Sequence, residues 1–439
     1  MNWNDLMATD LGQTFDAALE HEHRSDRKPK PPLVSLLIVN YNYAAYLDRT
    51  IHSIRRQTYS CFECMIVDNA STDDSIAVID RAIAGDSRFT VVRLDENLGQ
   101  LRAAMHVFDR IRGSFVVVVD ADDLLFPEFL ASHLQVHLAL PAAVGFTSSD
   151  VMEIDADDRV LTGGRSGFAA NCESQPRGLK EPLAAVRLAS ISDADYQQLS
   201  DATVAVSYRK FQWVWAPGTA NMYRKAALEL ALPEVSQFRS RVGFEGYFCA
   251  ILHLMAGSAL ICRPLSAYRI HGRNDFGSSP SMNAVRLQQR YEDMRPGIQQ
   301  LAVLRTILSR AQAFDSLLPG DGFWSRIDLL SGIEGERPQA YFAQDTVQQV
   351  LAENFRSLLA TRGARTLLSE MCDRLPPDAV RRVMSRAYGR SVPPSLRWAL
   401  AKESARRWRI SFTHPRGRNA DSGNRRASQR EHRPAGHVP

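Results

Sequence analysis

Carboxylates in this 439-residue chain gather where a parallel sheet would present them. Asp68 directly follows the strand-like segment Phe62–Val67, and Asp120-Ala121-Asp122-Asp123 directly follows Phe115–Val119. In open α/β sheets, ligands bind beyond the carboxyl ends of the strands. Three carboxylates so close together repel one another unless a cation or a donor cluster sits among them. The set suits a hard divalent ion, Mg²⁺ or Mn²⁺, bridging protein oxygens to the phosphates of a nucleotide. The competing reading is an N-cap and solvated turn ahead of a helix at Pro127, a place where Asp is common. Trp213 and Trp215, just before Pro217-Gly218-Thr219, offer ring faces on which a ligand could stack, against a reading as ordinary core.

Alternating strands and helices must hold these groups. Val34–Val39 reads as a strand buried on both faces, and Ala44–Gln57 carries helical spacing through Leu47, Ile51 and Ile54. Phe62–Val67, a helix over Asp73–Ala84, Phe89–Leu94, a helix over Leu98–Ile111 and Phe115–Val119 continue the pattern, which means βαβ units and a mainly parallel sheet. A helix over Pro127–Leu140, strands over Ala143–Ser148 and Val151–Ile154, an insertion over 163–210 that lines or covers the site, a strand over Thr219–Tyr223, a helix over Phe244–Ala256, and strands over Ala259–Cys262 and Leu265–Ile270 follow. From Ser281 to about Arg390 the pattern is helical. The expected organisation is a polar leader over 1–32, an α/β domain over 33–280, a helical domain over 281–395, and a basic amphipathic helix with a disordered tail over 396–439.

Composition narrows the function classes. Apolar residues at 45% and charged residues at 23% are ordinary for a globular protein, and a net charge of +4 makes no case for a nucleic-acid partner. Eleven basic and three acidic side chains lie in 396–439, so that segment is net +8 and the rest net −4. Six scattered cysteines form no disulfide framework and fit a reducing compartment, with Cys61 and Cys64 read as packed free thiols. The leader has no secretory signal pattern. The longest uncharged stretch, Gly246–Cys262, falls short of a membrane span of about 20 residues.

Five linked motifs carry a resemblance. They are Val34–Asn42 (VSLLIVNYN), Gln57-Thr58-Tyr59, Val67–Asp73 (VDNASTD), Asn97–Gln100 (NLGQ) and Val119–Asp123 (VDADD). In order and spacing the chain resembles the family-2 glycosyltransferases of the GT-A fold, in detail over residues 33–150 and more loosely to about 275. The resemblance implies a GT-A type nucleotide-binding sheet flanked by helices, followed by the α-helical C-terminal domain. It implies that Asn40, Tyr41 and Asn42 form a loop under the nucleoside, and that Asp68 and Asn69 stand where the family carries two acids, one accepting from the base. Asn97, Gly99 and Gln100 match the loop that approaches the donor. Asp120 and Asp122 match the DxD pair, Asp120 facing the ribose or metal and Asp122 the metal and diphosphate, with Asp123 supporting. Where the family often has Ala-Arg-Asn, this chain has Ala103-Ala104-Met105, so a basic contact is absent or moved to Arg102. Glu245 stands at the family's catalytic base position, with Gly246 in place of a second acid, and His271 in Tyr268-Arg-Ile-His-Gly272 stands where it would complete the metal or phosphate shell.

The activity so implied is inverting, metal-dependent transfer of a hexosyl or deoxyhexosyl group. The donor is a nucleoside-diphosphate sugar, UDP or dTDP first, and the acceptor a glycan, glycolipid or protein-linked glycan in bacterial cell-surface polysaccharide synthesis. The rival is a weak or inactive nucleotide-sugar binding scaffold of the same fold. A dinucleotide oxidoreductase lacks support, because Asn-Tyr-Asn and not a glycine-rich turn follows the first strand. On the helix over 396–412, Trp398, Ala401, Ala405, Trp408 and Phe412 share one face bordered by Arg397, Lys402 and Arg409. It suits either docking on the helical domain or peripheral contact with an anionic membrane from a cytoplasmic location.

Overall fold

The computed structural model describes residues 30–140, 143–165, 168, 188–210, 213–233, 243–274, 298–318, 322–330 and 344–413. Residues 1–29 of the expected leader over 1–32, much of the insertion, residues 275–297 and the tail from 414 lie outside them. The chain divides into two compact units, the first ending at Thr306 but regaining Trp324–Tyr341, the second holding Ile307–Phe323 and the chain from Phe342.

The first unit is built on one ten-stranded sheet. Strands β1 (Val34–Asn40), β2 (Phe62–Asp68), β3 (Phe89–Arg93) and β4 (Phe115–Asp120) lie parallel in the order β3-β2-β1-β4. Val34, Leu36, Leu37 and Ile38 are fully buried, as a central strand covered on both faces requires. Helices α1 (Ala44–Arg55) and α2 (Ser75–Ala82) connect them, and Leu47, Ile51 and Ile54 turn the apolar stripe of α1 into the core. One carboxylate starts both helices: Asp73 accepts from Ala44 N–H at 3.0 Å and from Ser75 N–H at 3.0 Å. These bonds outweigh partial burial and hold its carboxyl below the ordinary range.

Beyond β4 the sheet turns mixed. The short β5 (Leu124–Leu125), β6 (Phe146–Asp155), β7 (Val160–Thr162), β8 (Thr203–Val206), β9 (Asn221–Arg224) and β10 (Ser258–Ile270) extend it as β4-β9-β6-β10-β5, with β7 on β6 and β8 on β10. β9 runs antiparallel to both β4 and β6. The first four strands match the expected parallel arrangement, and this half departs from it. Two pairs of expected strands also merge. Asp150 stays inside β6 because its Oδ1 takes the N–H groups of Val151 and Arg165, and Pro264 is absorbed into β10 by register shifts on either side of it.

The other helices of this unit are α3 (Gln100–His106), α4 (Phe129–Ala139), α5 (Asp193–Asp201), α6 (Lys225–Leu230), α7 (Phe244–Ala256) and α8 (Ile298–Ser309), whose last turn enters the second unit. α3 is shorter than the expected Leu98–Ile111: it begins only after Gly99, at φ +76°, and a 3₁₀ turn over Phe108–Arg110 follows it. Cys64 is buried and Cys61 half-buried, both free thiols; Cys262 on β10 is disulfide-bonded, which corrects the expectation of reduced cysteines throughout. Spacing along the chain carries no information on what lies beside β10. Among the described residues no helix is long and apolar enough to cross a membrane.

The second unit is helical. α11 (Gln344–Arg362), α12 (Ala364–Arg374), α13 (Pro377–Tyr388) and α14 (Pro394–Thr413) pack through Val350, Phe355, Leu358, Leu368, Met371, Val380, Val383 and Leu396, all buried, beside the preceding α9 (Ala311–Leu317). A tenth helix, α10 (Gly322–Leu330), crosses the unit boundary. Arg362 pairs with Asp315 and Glu370 and lies over the Phe323 ring.

One glycine sets how α7 hands over to β10. Gly257 has φ +71°, and a Cβ there would meet Val206 O at 2.6 Å. Gly257→Ala combines left-handed strain with a backbone clash and is expected to destabilise the first unit by about 2–3 kcal/mol. Its urea midpoint should fall accordingly, and an unchanged midpoint would contradict this reading of the turn.

Candidate functional site

The acidic loop at the end of β4 gathers three carboxylates at the sheet's carboxyl edge. Asp123 is buried, and both its oxygens are committed: Oδ1 accepts from Arg269 N–H at 2.9 Å and Oδ2 from Thr219 Oγ1 at 2.7 Å. The same Thr219 hydroxyl oxygen accepts from Asp120 N–H at 3.0 Å. Arg269, fully buried on β10, donates to Asp122 O at 2.7 Å and to Asp155 O at 3.0 Å, pairs with Asp158 at 2.5 Å, and lies over the Tyr46 ring. Asp123 and Arg269 thus fix the backbone that carries Asp120 and Asp122.

The two remaining acids face different partners. Asp122 Oδ2 is 2.8 Å from His271 Nε2. His271 Nδ1 accepts from Arg273 N–H at 3.3 Å, so the ring proton is on Nε2 and His271 donates to Asp122. Tyr46 stacks on His271 and Tyr43 meets it edge-on, fixing the ring plane. Asp120 Oδ1 accepts from Gln100 Nε2 at 2.6 Å, and Gln100 Oε1 accepts from Phe244 N–H at 3.1 Å. Gln100 therefore ties the DxD strand end to the first residue of α7, the helix that carries Glu245.

Asp120 and Glu245 share one space. A Cβ built on Gly218 would lie 3.3 Å from Asp120 Oδ2 and 3.5 Å from Glu245 Oε2, so the missing side chain leaves a gap flanked by two carboxylates. Burial, then the charges of Asp123, Glu245 and Asp122, push the Asp120 carboxyl well above its ordinary range, against the Gln100 hydrogen bond. Burial and the charge of Asp122 push Asp123 the same way, although Thr219 and Arg269 oppose it. Gly246 is buried in α7, which accounts for a single acid at this position: the neighbouring side chain would enter the core.

The loops beyond β1 and β2 lie at the same sheet edge. Asn40 is buried and donates to Asp68 Oδ1 and Ser71 Oγ, both at 3.0 Å, while its Oδ1 has no partner among the described residues. Asn42, at φ +62°, accepts from Thr72 N–H at 2.7 Å. Tyr41 projects into solvent at 41% exposure, and Asp68 is buried with Oδ2 accepting from Ser71 N–H. Asn69 donates to Asn97 Oδ1 and accepts from Leu98 N–H, both at 2.9 Å, and Asn97 Oδ1 also takes Gly99 N–H. Asn69 and Asn97 thus hold the turn that starts α3 and delivers Gln100. Ala103 and Ala104 are fully buried and Arg102 exposed. Trp215 is buried, its Nε1 donating to Ser258 Oγ, whereas Trp213 rests edge-on against it and is half exposed.

Thr219, Gly218 and Arg269 were not singled out as site residues by the sequence reading, although each lies within a segment it quoted. Of the three residues expected to hold a metal, only Asp122 and His271 touch each other. Among the described residues no group of three or more His, Cys, Asp or Glu side chains forms a ready-made metal site.

The raised carboxyls have a thermodynamic consequence. A native state that binds these protons more tightly than the unfolded chain loses stability as pH rises from the ordinary carboxylate range through the raised values. Asp120→Asn keeps an acceptor for Gln100 and removes a charge. It is expected to stabilise the ligand-free protein by about 1 kcal/mol, more at pH about 8 than at about 5. Melting curves of wild type and variant at the two pH values check this, and a variant that melts below the wild type at the higher pH would refute it.

Residues 35–172 match the sequence model of Glycosyl transferase family 2. An uncharacterised glycosyltransferase of Nostoc sp. is 26% identical over 308 residues, covering 70% of this chain and 82% of the relative. The putative teichuronic acid biosynthesis glycosyltransferase TuaG of Bacillus subtilis is 32% identical over 124 residues, covering 28% of this chain and 49% of TuaG. The solved structure of residues 1–349 of S. aureus TarS in complex with UDP superposes loosely, with a TM-score of 0.41 and 14% identity, over 87% of this chain and 91% of that one. Residues 35–172, which carry the parallel β3-β2-β1-β4 edge and the acidic loop, are thus similar to glycosyltransferase family 2.

Proposed function

We propose that the protein is an inverting, divalent-cation-dependent glycosyltransferase. It moves a hexosyl or deoxyhexosyl group from a nucleoside-diphosphate sugar, UDP or dTDP first, to a hydroxyl of a glycan, glycolipid or protein-linked acceptor in surface polysaccharide assembly. The observation that carries the reading is the gap at Gly218, flanked by Asp120 at the end of β4 and Glu245 at the start of α7. A carboxylate for the donor side and a carboxylate for the acceptor side stand across one small space.

The donor set suits a hard cation. Asp120 is buried against the charges of Asp123, Glu245 and Asp122 with the Gln100 hydrogen bond opposing them, and Asp122 is bonded by His271. Mg²⁺ and Mn²⁺ sites of this type use one or two carboxylates, with phosphate oxygens and water completing the shell. Asp120 and Asp122 are the residues that would hold the ion. His271 Nε2 donates to Asp122, so its role is to orient that carboxylate, and ligation through Nε2 would require the other tautomer. When bound, the cation neutralises the departing diphosphate.

Around that centre the chain's own residues divide the work. Tyr41 offers a ring face to the nucleoside, and the Asn40–Asp68 pair and Asn42 shape the loop beneath it. Asn69, Asn97 and Gly99 hold the turn that presents Gln100. Glu245 takes the proton of the acceptor hydroxyl as its oxygen bonds to the anomeric carbon; the bond from that carbon to the diphosphate oxygen breaks, its electron pair leaving with the nucleotide. Gln100 keeps the two carboxylates in register. The scaffold rival draws on the single acid at Glu245, but the burial of Gly246 gives that departure a packing reason.

Release of nucleoside diphosphate from UDP-sugars, with and without Mn²⁺, tests the proposal. Asp122→Asn is expected to lower turnover more than about 100-fold, and Glu245→Gln about 10²–10⁴-fold with donor KM little changed. Both should keep the native circular dichroism. Full activity in Asp122→Asn would sink the assignment, and donor binding without any release would favour the scaffold.

A further inference from the structure

The last described helix docks by one face and leaves the opposite face bare. Leu396 and Leu400 of α14 are buried, and Glu403 and Arg407 continue their stripe onto α12. Arg407 donates to Cys372 O at 3.1 Å and Ser369 O at 3.0 Å and pairs with Asp373 at 2.6 Å. Glu403 accepts from Arg407 at 2.8 Å and from Arg406 at 2.6 Å. Half a helical turn away, Trp398 is 66% exposed, and Ala401, Lys402 and Ala405 are exposed beside it. The aromatic stripe seen in the sequence is thus the solvent side, and the docking uses residues that pattern did not include. Trp408 and Phe412 extend the stripe in sequence, though their side chains fall outside the described residues.

We propose that this face of α14 is a docking surface for an anionic lipid bilayer. An apolar, aromatic strip flanked by cations is the form of an interfacial helix. Arg397 lies on one flank, and Lys402 and Arg406 lie on the other, with the Lys402 ammonium 5.0 Å from the Trp398 ring centre. The single acid of the helix, Glu403, is held on the docked side, so the outward face carries only positive charge. A second copy packed face to face would oppose like charges, and a phosphate backbone would gain nothing from the Trp and Ala strip. A lipid surface satisfies both features. The proposal does not rest on the glycosyl-transfer reading.

The test uses the full chain, because deleting α14 would uncover the α12 core. Co-sedimentation with phosphatidylcholine vesicles is compared with vesicles that also contain phosphatidylglycerol. Binding is expected only to the second, and it should weaken as salt is raised. Arg397→Ser and Lys402→Ser should each weaken it roughly fivefold, and Trp398→Ser several-fold, with the melting temperature unchanged. No binding, or binding that the Trp398 and Lys402 variants leave intact, overturns the proposal; the latter outcome would assign it to the basic residues after 413. A dimer in light scattering that Trp398→Ser abolishes would also overturn it, in favour of a second copy.

Discussion

Three carboxylates crowded at one strand end are the constraint around which the first unit is organised. Bringing like charges into a region of low polarity costs several kcal/mol unless donors or a cation answer them, and total stability is only about 5–15 kcal/mol. The fold answers one of the three completely. Asp123 is saturated by Thr219 and by the Arg269 backbone, so it serves as an anchor. Asp120 keeps its charge problem, with burial and three neighbouring acids set against the Gln100 hydrogen bond, and a metal-bound diphosphate would relieve it.

The anchoring brings together distant parts of the chain. Arg269 from β10 holds the acidic loop and the β6–β7 turn, Thr219 reaches it from the segment before β9, and Gln100 joins it to the start of α7. These contacts span sequence separations of about 100 residues or more, apart from the Gln100–Asp120 bond, so the mixed half of the sheet works as a brace for the parallel half. Gly218 completes the arrangement by withholding a side chain from the space that Asp120 and Glu245 flank. A methyl group there would sit against both carboxylates.

Much of this was legible in the sequence, for identifiable reasons. Val34–Val39, broken only by Ser35, and Phe115–Val119 are apolar because strands buried on both faces must be, and Asn40 and Asp120 at their ends stand out against that background. α7 was legible near Phe244–Ala256, because Gly257-Ser258 divides its uncharged run from the strand that follows. Strands interrupted by Asp150 or Pro264 were not, since their continuity depends on Arg165 and on register shifts supplied by neighbours. Arg269 escaped attention because a buried arginine is defined by the carbonyls it meets, and those belong to residues 122 and 155. On α14 the amphipathic pattern was visible, but which of two faces docks is decided by α12.

On the proposed function, the strand-end carboxylates form half of a site whose other half arrives as a metal-bound nucleoside diphosphate. Thermal unfolding of the intact protein with UDP, with Mn²⁺ and with both measures this directly. The account predicts that the two together raise the melting temperature by more than the sum of their separate effects, and that the joint gain grows with pH as protons cease to compete at Asp120. If UDP and Mn²⁺ together shift the melting temperature no more than each does alone, at any pH, the carboxylate cluster is not half of such a site.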